Sequence, residues 1–176
     1  MFEYLMPALW TRHYPNTLLA ASALAAVEAQ IGYVHHKNNL PWGISESGYY
    51  RFDANMHYQY RAFGVPGIGF QRGLEDDLVI SPYASLLALS LRPQAVLENI
   101  RRLRDLGMMG DYGFYEAMDY TTARLALNQE YAIVRSYMVH HHGMILLALV
   151  NALDAEPMVR RFHADNRIRS VELLLQ

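Results

Sequence analysis

Two stretches constrain this chain more than any others. Over residues 42–78, and again over 107–120, glycine and aromatic side chains crowd together with no sustained period of 2 or 3.6. Segments that long and irregular within a compact domain are usually functional or disordered, and the aromatic content argues for function. Around them the chain reads as helix. Residues 17–36 are alanine-rich, with Pro15 near their start, and Asn38, Asn39 and Pro41 stop the run. Ser81-Pro82 offers an N-cap and a first-turn proline for a helix over 81–91. Pro93 opens the next helix, and Leu106-Gly107 closes it. Residues 136–153 form the most apolar helix, followed by short helices over 157–164 and 167–174. A short ordered piece is expected at 53–60, but no strand pair joined by a hairpin turn is read. The fold class expected is all-α, with antiparallel helix pairs carrying long loops at one end, an arrangement that suits an α-toroid.

Composition narrows the function. The chain is 52% hydrophobic and 18% charged, richer in apolar residues than an average soluble domain, which excludes disorder. The surplus implies burial in a large core or against something outside this chain. Fifteen Lys and Arg against 17 Asp and Glu exclude a polybasic nucleic-acid binder. The absence of cysteine excludes disulfides, thiolate metal sites and a cysteine nucleophile. Residues 1–10 are apolar but carry Glu3 and Pro7 and lack a basic leader, so they do not read as a signal peptide. The longest apolar stretches, 18–27 and 144–153, fall short of the roughly 20 residues that span a bilayer; the chain itself is expected to be soluble or peripheral.

Four constellations could carry chemistry. Glu46 lies in the loop WGISES at 42–47, a carboxylate among small residues beside Trp42 that packing explains poorly; capping a helix or pairing with Arg51 is the bland alternative. At 112–120, Glu116 and Asp119 sit among Tyr112, Phe114, Tyr115 and Tyr120. Aromatic faces bind the C–H surfaces of sugar rings, and a carboxyl beside an aromatic surface can have its pKa raised, the state a general acid needs. Glycosidic chemistry needs two carboxylates, roughly 5–5.5 Å apart for retention and 6.5–9.5 Å for inversion. The run Glu75-Asp76-Asp77 is either solvated, paired with Arg72, at the N-terminus of the following helix, or in contact with substrate. His140, His141 and His142 are consecutive, about 100° apart on a helix, and cannot share one face as zinc ligands must. They are expected to divide between hydrogen bonding and structure, with no metal. The glycines at 64, 67, 69 and 73 do not fit a dinucleotide loop.

In order along the chain stand MFEYLMP at 1–7, PWGISES at 41–47, YRAFGVPG at 60–67, DLVISPYA at 77–84, YGFYEA at 112–117, RSYMVHH at 135–141 and a closing ELLLQ at 172–176. Together they resemble the glycoamylase-like domain of cyclic β-1,2-glucan synthases and related β-1,2-glucan-active enzymes, nearly end to end. The resemblance implies an (α/α)6 toroid with a carbohydrate cleft that closes linear β-1,2-glucan into rings in the synthases and hydrolyses it in the relatives. It implies Glu46 and Glu116 as acid/base and nucleophile, in either order. Trp42, Tyr60, Glu75, Asp76, Tyr112, Phe114, Tyr115, Asp119, Tyr137, His140 and His141 are then expected to bind the oligosaccharide, without cofactor. The family commonly has Gln where His142 stands. A complete toroid needs about twice the helices counted here, so residues 1–176 are expected to be the C-terminal portion of one domain. The implied partners are a β-1,2-glucan and the remainder of a larger synthase at the cytoplasmic side of the inner membrane, or a second copy meeting its exposed apolar helix faces, with no nucleic acid. The alternative is a non-catalytic oligosaccharide-binding or structural portion of such a synthase.

Overall fold

The computed structural model describes residues 1–69 and 71–175; Phe70 and Gln176, the last residue of the closing motif, lie outside it. Helices form the frame. Helix α1 (Phe2–Leu5) runs into a 3-10 turn (Met6–Leu9). Helix α2 (Leu18–His35) starts where Thr17 accepts a hydrogen bond from the Ala20 N–H, which satisfies an otherwise orphaned donor. It ends before Asn38 and Asn39, both left-handed, a conformation asparagine tolerates better than most residues. Strands β1 (Ser47–Phe52), β2 (Tyr58–Arg61) and β3 (Val79–Ile80) precede α3 (Pro82–Leu86) and α4 (Pro93–Asp105). Strands β4 (Met109–Gly110), β5 (Gly113–Phe114), β6 (Ala117–Asp119) and β7 (Ala132–Val134) lead to α5 (Val139–Leu153), α6 (Pro157–Ala164) and α7 (Asn166–Val171), with a last 3-10 turn at Glu172–Leu175.

The expectation of an all-α chain needs correction in its loops. β1 and β2 form an antiparallel hairpin with Gly48 opposite Tyr60 and a bulge between Tyr49 and Phe52. β4 and β5 form a tight hairpin, with Gly113 at φ +106°. β3, β6 and β7 make a three-stranded antiparallel sheet with β6 in the centre. These strands are two to six residues long, too short to show an alternating pattern in sequence. Two helices are also shorter than expected: α3 stops at Leu86, and α5 begins at Val139 because the backbone of Ser136 is engaged with Glu116 and Val134.

One core joins helices and sheets. Leu5 of α1, Val27 of α2, Val79 and Ile80 of β3, Tyr83 of α3, Leu103 of α4 and Met118 of β6 are all fully buried in it. Helix α2 is, by length and composition, the one described helix able to cross a bilayer, contrary to the expectation from its apolar run. Its Ala23, Ala26, Val27, Gln30 and Val34 are buried in the protein core, however, as in a core helix. Part of the apolar surplus stays outside. Leu18 (84% exposed) and Leu19 on α2, with Leu146, Val150 and Leu153 on α5, face outward. Val27, at the end of the apolar stretch 18–27, is buried.

Candidate functional site

The loop that carries Glu46 is clamped from both sides by buried amides. Gln30 of α2 donates from Nε2 to the Ile44 carbonyl (2.7 Å) and accepts at Oε1 from the Ile44 N–H (2.8 Å). Asn99 of α4 does the same to Trp42, accepting from its N–H (2.9 Å) and donating to its carbonyl (2.8 Å). Each side chain thus replaces a strand partner for a backbone that would otherwise be buried unpaired. Gly43, at φ +130°, lets this loop reach α3: a Cβ there would lie 2.7 Å from the Ser81 carbonyl oxygen. Ser45 accepts from the Phe2 N–H and the Tyr83 hydroxyl. Glu46 emerges from this clamp half-buried, with Oε1 accepting from the Tyr60 hydroxyl at 3.3 Å. It neither caps a helix nor pairs with Arg51.

Glu116 lies behind it. Its side chain is 1% exposed. Oε1 accepts from the Gly48 N–H (2.9 Å), and Oε2 faces His141 Nδ1 (2.9 Å). Gly48 is needed there, since a Cβ would stand 3.1 Å from the Glu116 Cγ. His141 stacks on Tyr83, with centroids 3.8 Å apart and an interplanar angle of 14°, and presents Nε2 to the Tyr60 hydroxyl at 3.2 Å. His140 reaches the same hydroxyl at 3.5 Å. Burial, then the Glu46 and Glu116 carboxylates, push the Tyr60 phenol well above its ordinary pKa. Burial and the neighbouring His141 hold His140 below its ordinary value, against the opposing pull of Glu116 and Glu46. Hydrogen bonds through His141 and Tyr60 therefore join both predicted carboxylates, but only Glu46 is open to a ligand.

A second aromatic group adjoins the first across the start of α5. Tyr137 lies against Tyr112, Tyr115 and His142 at centroid distances of 5.6, 5.3 and 5.7 Å. Tyr112 is 80% exposed. Gly110 makes room for this group, since a Cβ would come 2.6 Å from the Tyr115 ring. His142 turns Nδ1 to the Met138 carbonyl. Tyr60, His140 and His141 thus gather with Glu46, while Tyr112, Tyr115 and Tyr137 form a second group against His142 in the same first turn of α5.

Other expected site residues lie elsewhere. Trp42 is buried and lines a pocket with Ile31, Val34 and Asn99, between α2 and α4; its ring serves packing, which corrects the expectation that it flanks Glu46. Phe114 packs on the core. Asp119 is fully buried, and its oxygens are taken by Arg124 and the N–H groups of Tyr50 and Thr121, so a sugar hydroxyl finds no free lone pair there. Glu75 and Asp76 are exposed, whereas Asp77 pairs with Arg61 and Arg124 rather than Arg72. Sequence reasoning missed Gln30, Asn99 and Tyr83, and also Glu3, which lines a cavity of about 30 Å³ together with Glu46. Among the described residues no group of three or more His, Asp or Glu is placed to hold a metal ion.

Comparison with known proteins bears on the family and the fold. Over all 176 residues the chain is 42% identical to the cyclic β-(1,2)-glucan synthase NdvB of Rhizobium meliloti (strain 1021), of which it spans 6%. It superposes on an endo-β-1,2-glucanase from Chitinophaga pinensis with a TM-score of 0.63 and 19% identity, covering 99% of this chain and 40% of that one. A β-1,2-glucanase from Parabacteroides distasonis gives 0.66 and 16% identity, covering 99% of this chain and 24% of that one. The chain is therefore a small part of the length of each relative. Residues 1–165 match the Glycoamylase family, and the chain belongs to that family.

Proposed function

We propose that this chain is part of a domain that cleaves or transfers β-1,2-glucosidic bonds, closing linear β-1,2-glucan into rings within a cyclic glucan synthase. The observation that carries the reading is Glu46: a half-buried carboxylate on a doubly clamped loop, bonded by the Tyr60 hydroxyl, which also reaches His140 and His141 at the start of α5, where Tyr137 gathers Tyr112 and Tyr115 against His142. A carboxyl so placed can protonate a leaving glycosidic oxygen while the rings hold the sugar faces. Glycosidic chemistry needs a second carboxylate open to substrate, and Glu116 is buried. That role falls to Glu3, which shares a cavity with Glu46, or to a part of the domain beyond this chain. The outward apolar residues of α2 and α5 are the surface on which the rest of an (α/α)6 toroid docks, the parent being membrane-bound with this domain on the cytoplasmic side.

One observation favours a second reading. With Glu116 out of reach, the chain alone presents one of its two predicted catalytic carboxylates, as an oligosaccharide-binding portion would. Incubating the full-length parent with linear β-1,2-glucan and separating cyclic, shortened and unchanged chains decides between them. The enzyme reading expects rings or shortened chains from the parent, and none from Glu46→Gln. Glucan that is bound but unchanged would establish the binding reading. Loss of turnover in Glu3→Gln with the fold retained would assign the second carboxylate to Glu3.

A further inference from the structure

We propose that Glu116 and His141 act through Tyr60 as a buried proton relay that sets the protonation state of Glu46, making them positioning residues that do not touch the substrate. The proposal rests on the reading of Glu46 as the substrate-facing carboxyl.

The geometry allows few alternatives. Glu116 and His141 are 1% and 2% exposed, so neither meets a ligand in this fold. Buried charge persists only where it is paired and hydrogen-bonded, and both Glu116 oxygens are occupied, by Gly48 N–H and His141. An ionised carboxylate only accepts, so His141 Nδ1 carries a hydrogen toward it. In the neutral imidazole Nε2 is then an acceptor, and it faces the Tyr60 hydroxyl at 3.2 Å. That hydroxyl has one proton to donate and two main takers, His141 Nε2 and Glu46 Oε1 at 3.3 Å.

Two arrangements follow, differing by one proton. In the first, protonated Glu46 donates to the Tyr60 oxygen and Tyr60 donates to neutral His141. In the second, the Glu46 proton has passed to Tyr60 and the Tyr60 proton to His141 Nε2. This leaves Glu46 ionised, Tyr60 neutral and His141 a cation against the Glu116 anion. The three groups and Glu116 carry the same total charge in both states, so no outside proton is needed. Burial and the two carboxylates raise the Tyr60 phenol pKa, so Tyr60 passes a proton on rather than giving one up. Tyr83, stacked on His141 and donating to Ser45 and the Glu46 carbonyl, fixes the imidazole plane. The other titratable groups facing the relay are His140 of α5 and, toward Glu46, the Met1 amino group and Glu3. A carboxyl that gives a proton to a leaving oxygen and later takes one from an attacking hydroxyl would have its reserve in His141.

The test is a carbon-detected titration of the chain labelled at the glutamate carboxyls, with nitrogen detection of the histidines, comparing wild type with Tyr60→Phe. Tyr60 is 40% exposed, and the variant loses one oxygen, so folding survives. In wild type the Glu46 curve should show a second inflection at the His141 midpoint, as coupled sites do. In Tyr60→Phe that inflection should vanish. Glu46 should then titrate in a single step, independent of His141. A single-step Glu46 curve in wild type, unmoved by Tyr60→Phe, would overturn the relay. In the full-length parent, Tyr60→Phe should displace a limb of the pH–rate profile with KM little changed, whereas Glu46→Gln should lose turnover at every pH. A parent inactive on β-1,2-glucan whose Glu46 and His141 still titrate together would sink the glucan reading and leave the relay standing.

Discussion

Replacing Gln30 by methionine isolates the clamp that holds the Glu46 loop. Methionine is close to glutamine in length and fits irregular gaps, so the core keeps its volume while both hydrogen bonds to Ile44 disappear. Gln30 and Ile44 are both completely buried, so water cannot replace the lost partner of either the Ile44 N–H or its carbonyl. A buried polar group left unsatisfied costs about 1–3 kcal/mol, and two of them put the loss at about 2–6 kcal/mol. That is a large share of a domain stability of about 5–15 kcal/mol. Urea unfolding followed by circular dichroism reads it directly: with m of about 2 kcal/mol/M, the midpoint should fall by about 1–3 M. Gln94→Met serves as the control, since Gln94 is exposed on α4 and bonds only Glu98; it should stay within about 0.5 kcal/mol of the parent. If Gln30→Met also stays within that margin, the loop is not held by this amide and the reasoning fails.

Gly43→Ala combines a left-handed backbone at φ +130° with a Cβ 2.7 Å from the Ser81 carbonyl. It should cost about 1–3 kcal/mol, lowering Tm by about 2–4 °C per kcal/mol; an unchanged melting curve would contradict the close approach. His140 should titrate below the ordinary histidine value of about 6.5, and Glu46→Gln should move it lower still by removing a charge that raises it. Because the unfolded chain takes up this proton more readily, the His140 contribution to stability is present above about pH 6.5 and declines as pH falls below it; a midpoint at or above 6.5 would refute the assignment. The exposed apolar residues of α2 and α5 should make the isolated chain self-associate, because contiguous apolar patches of a few hundred Å² mark interfaces. A clean monomer by light scattering at high concentration would mean that these faces need no partner.

The helices were readable because each carries its own punctuation. Pro82, Pro93 and Gly107 stand at or beside the ends they suggested, while Thr17 and Pro157 turn out to mark helix starts as well. The strands were not, because none is long enough to show a periodic pattern of its own, and β3 depends on a partner far along the chain, with β6 lying between β3 and β7. Glu46 stands out in the sequence because a carboxylate flanked by small residues has little to pack. Trp42 was misread for the opposite reason. Its burial depends on Asn99, far along the chain, gripping its backbone. Asp119 looked like a sugar ligand until the turn at 122–124 brought Arg124 onto it. The Gln30 clamp did leave a signal, a polar residue at helical spacing among Ala23, Ala26, Val27 and Val34. Such a residue on an apolar face needs a hydrogen-bond partner.

The division between a substrate-facing Glu46 and a buried Glu116 can be tested by labelling. An epoxyalkyl β-1,2-glucooligosaccharide carries an electrophile that a carboxylate at the sugar subsite opens, leaving an ester on that residue. Peptide mass spectrometry of the full-length parent after incubation should place the adduct on Glu46, with labelling suppressed by excess linear β-1,2-glucan and absent in Glu46→Gln. An adduct on Glu116 in the wild-type parent would contradict the account, because a side chain 1% exposed with both oxygens engaged could not have reached the sugar in this fold.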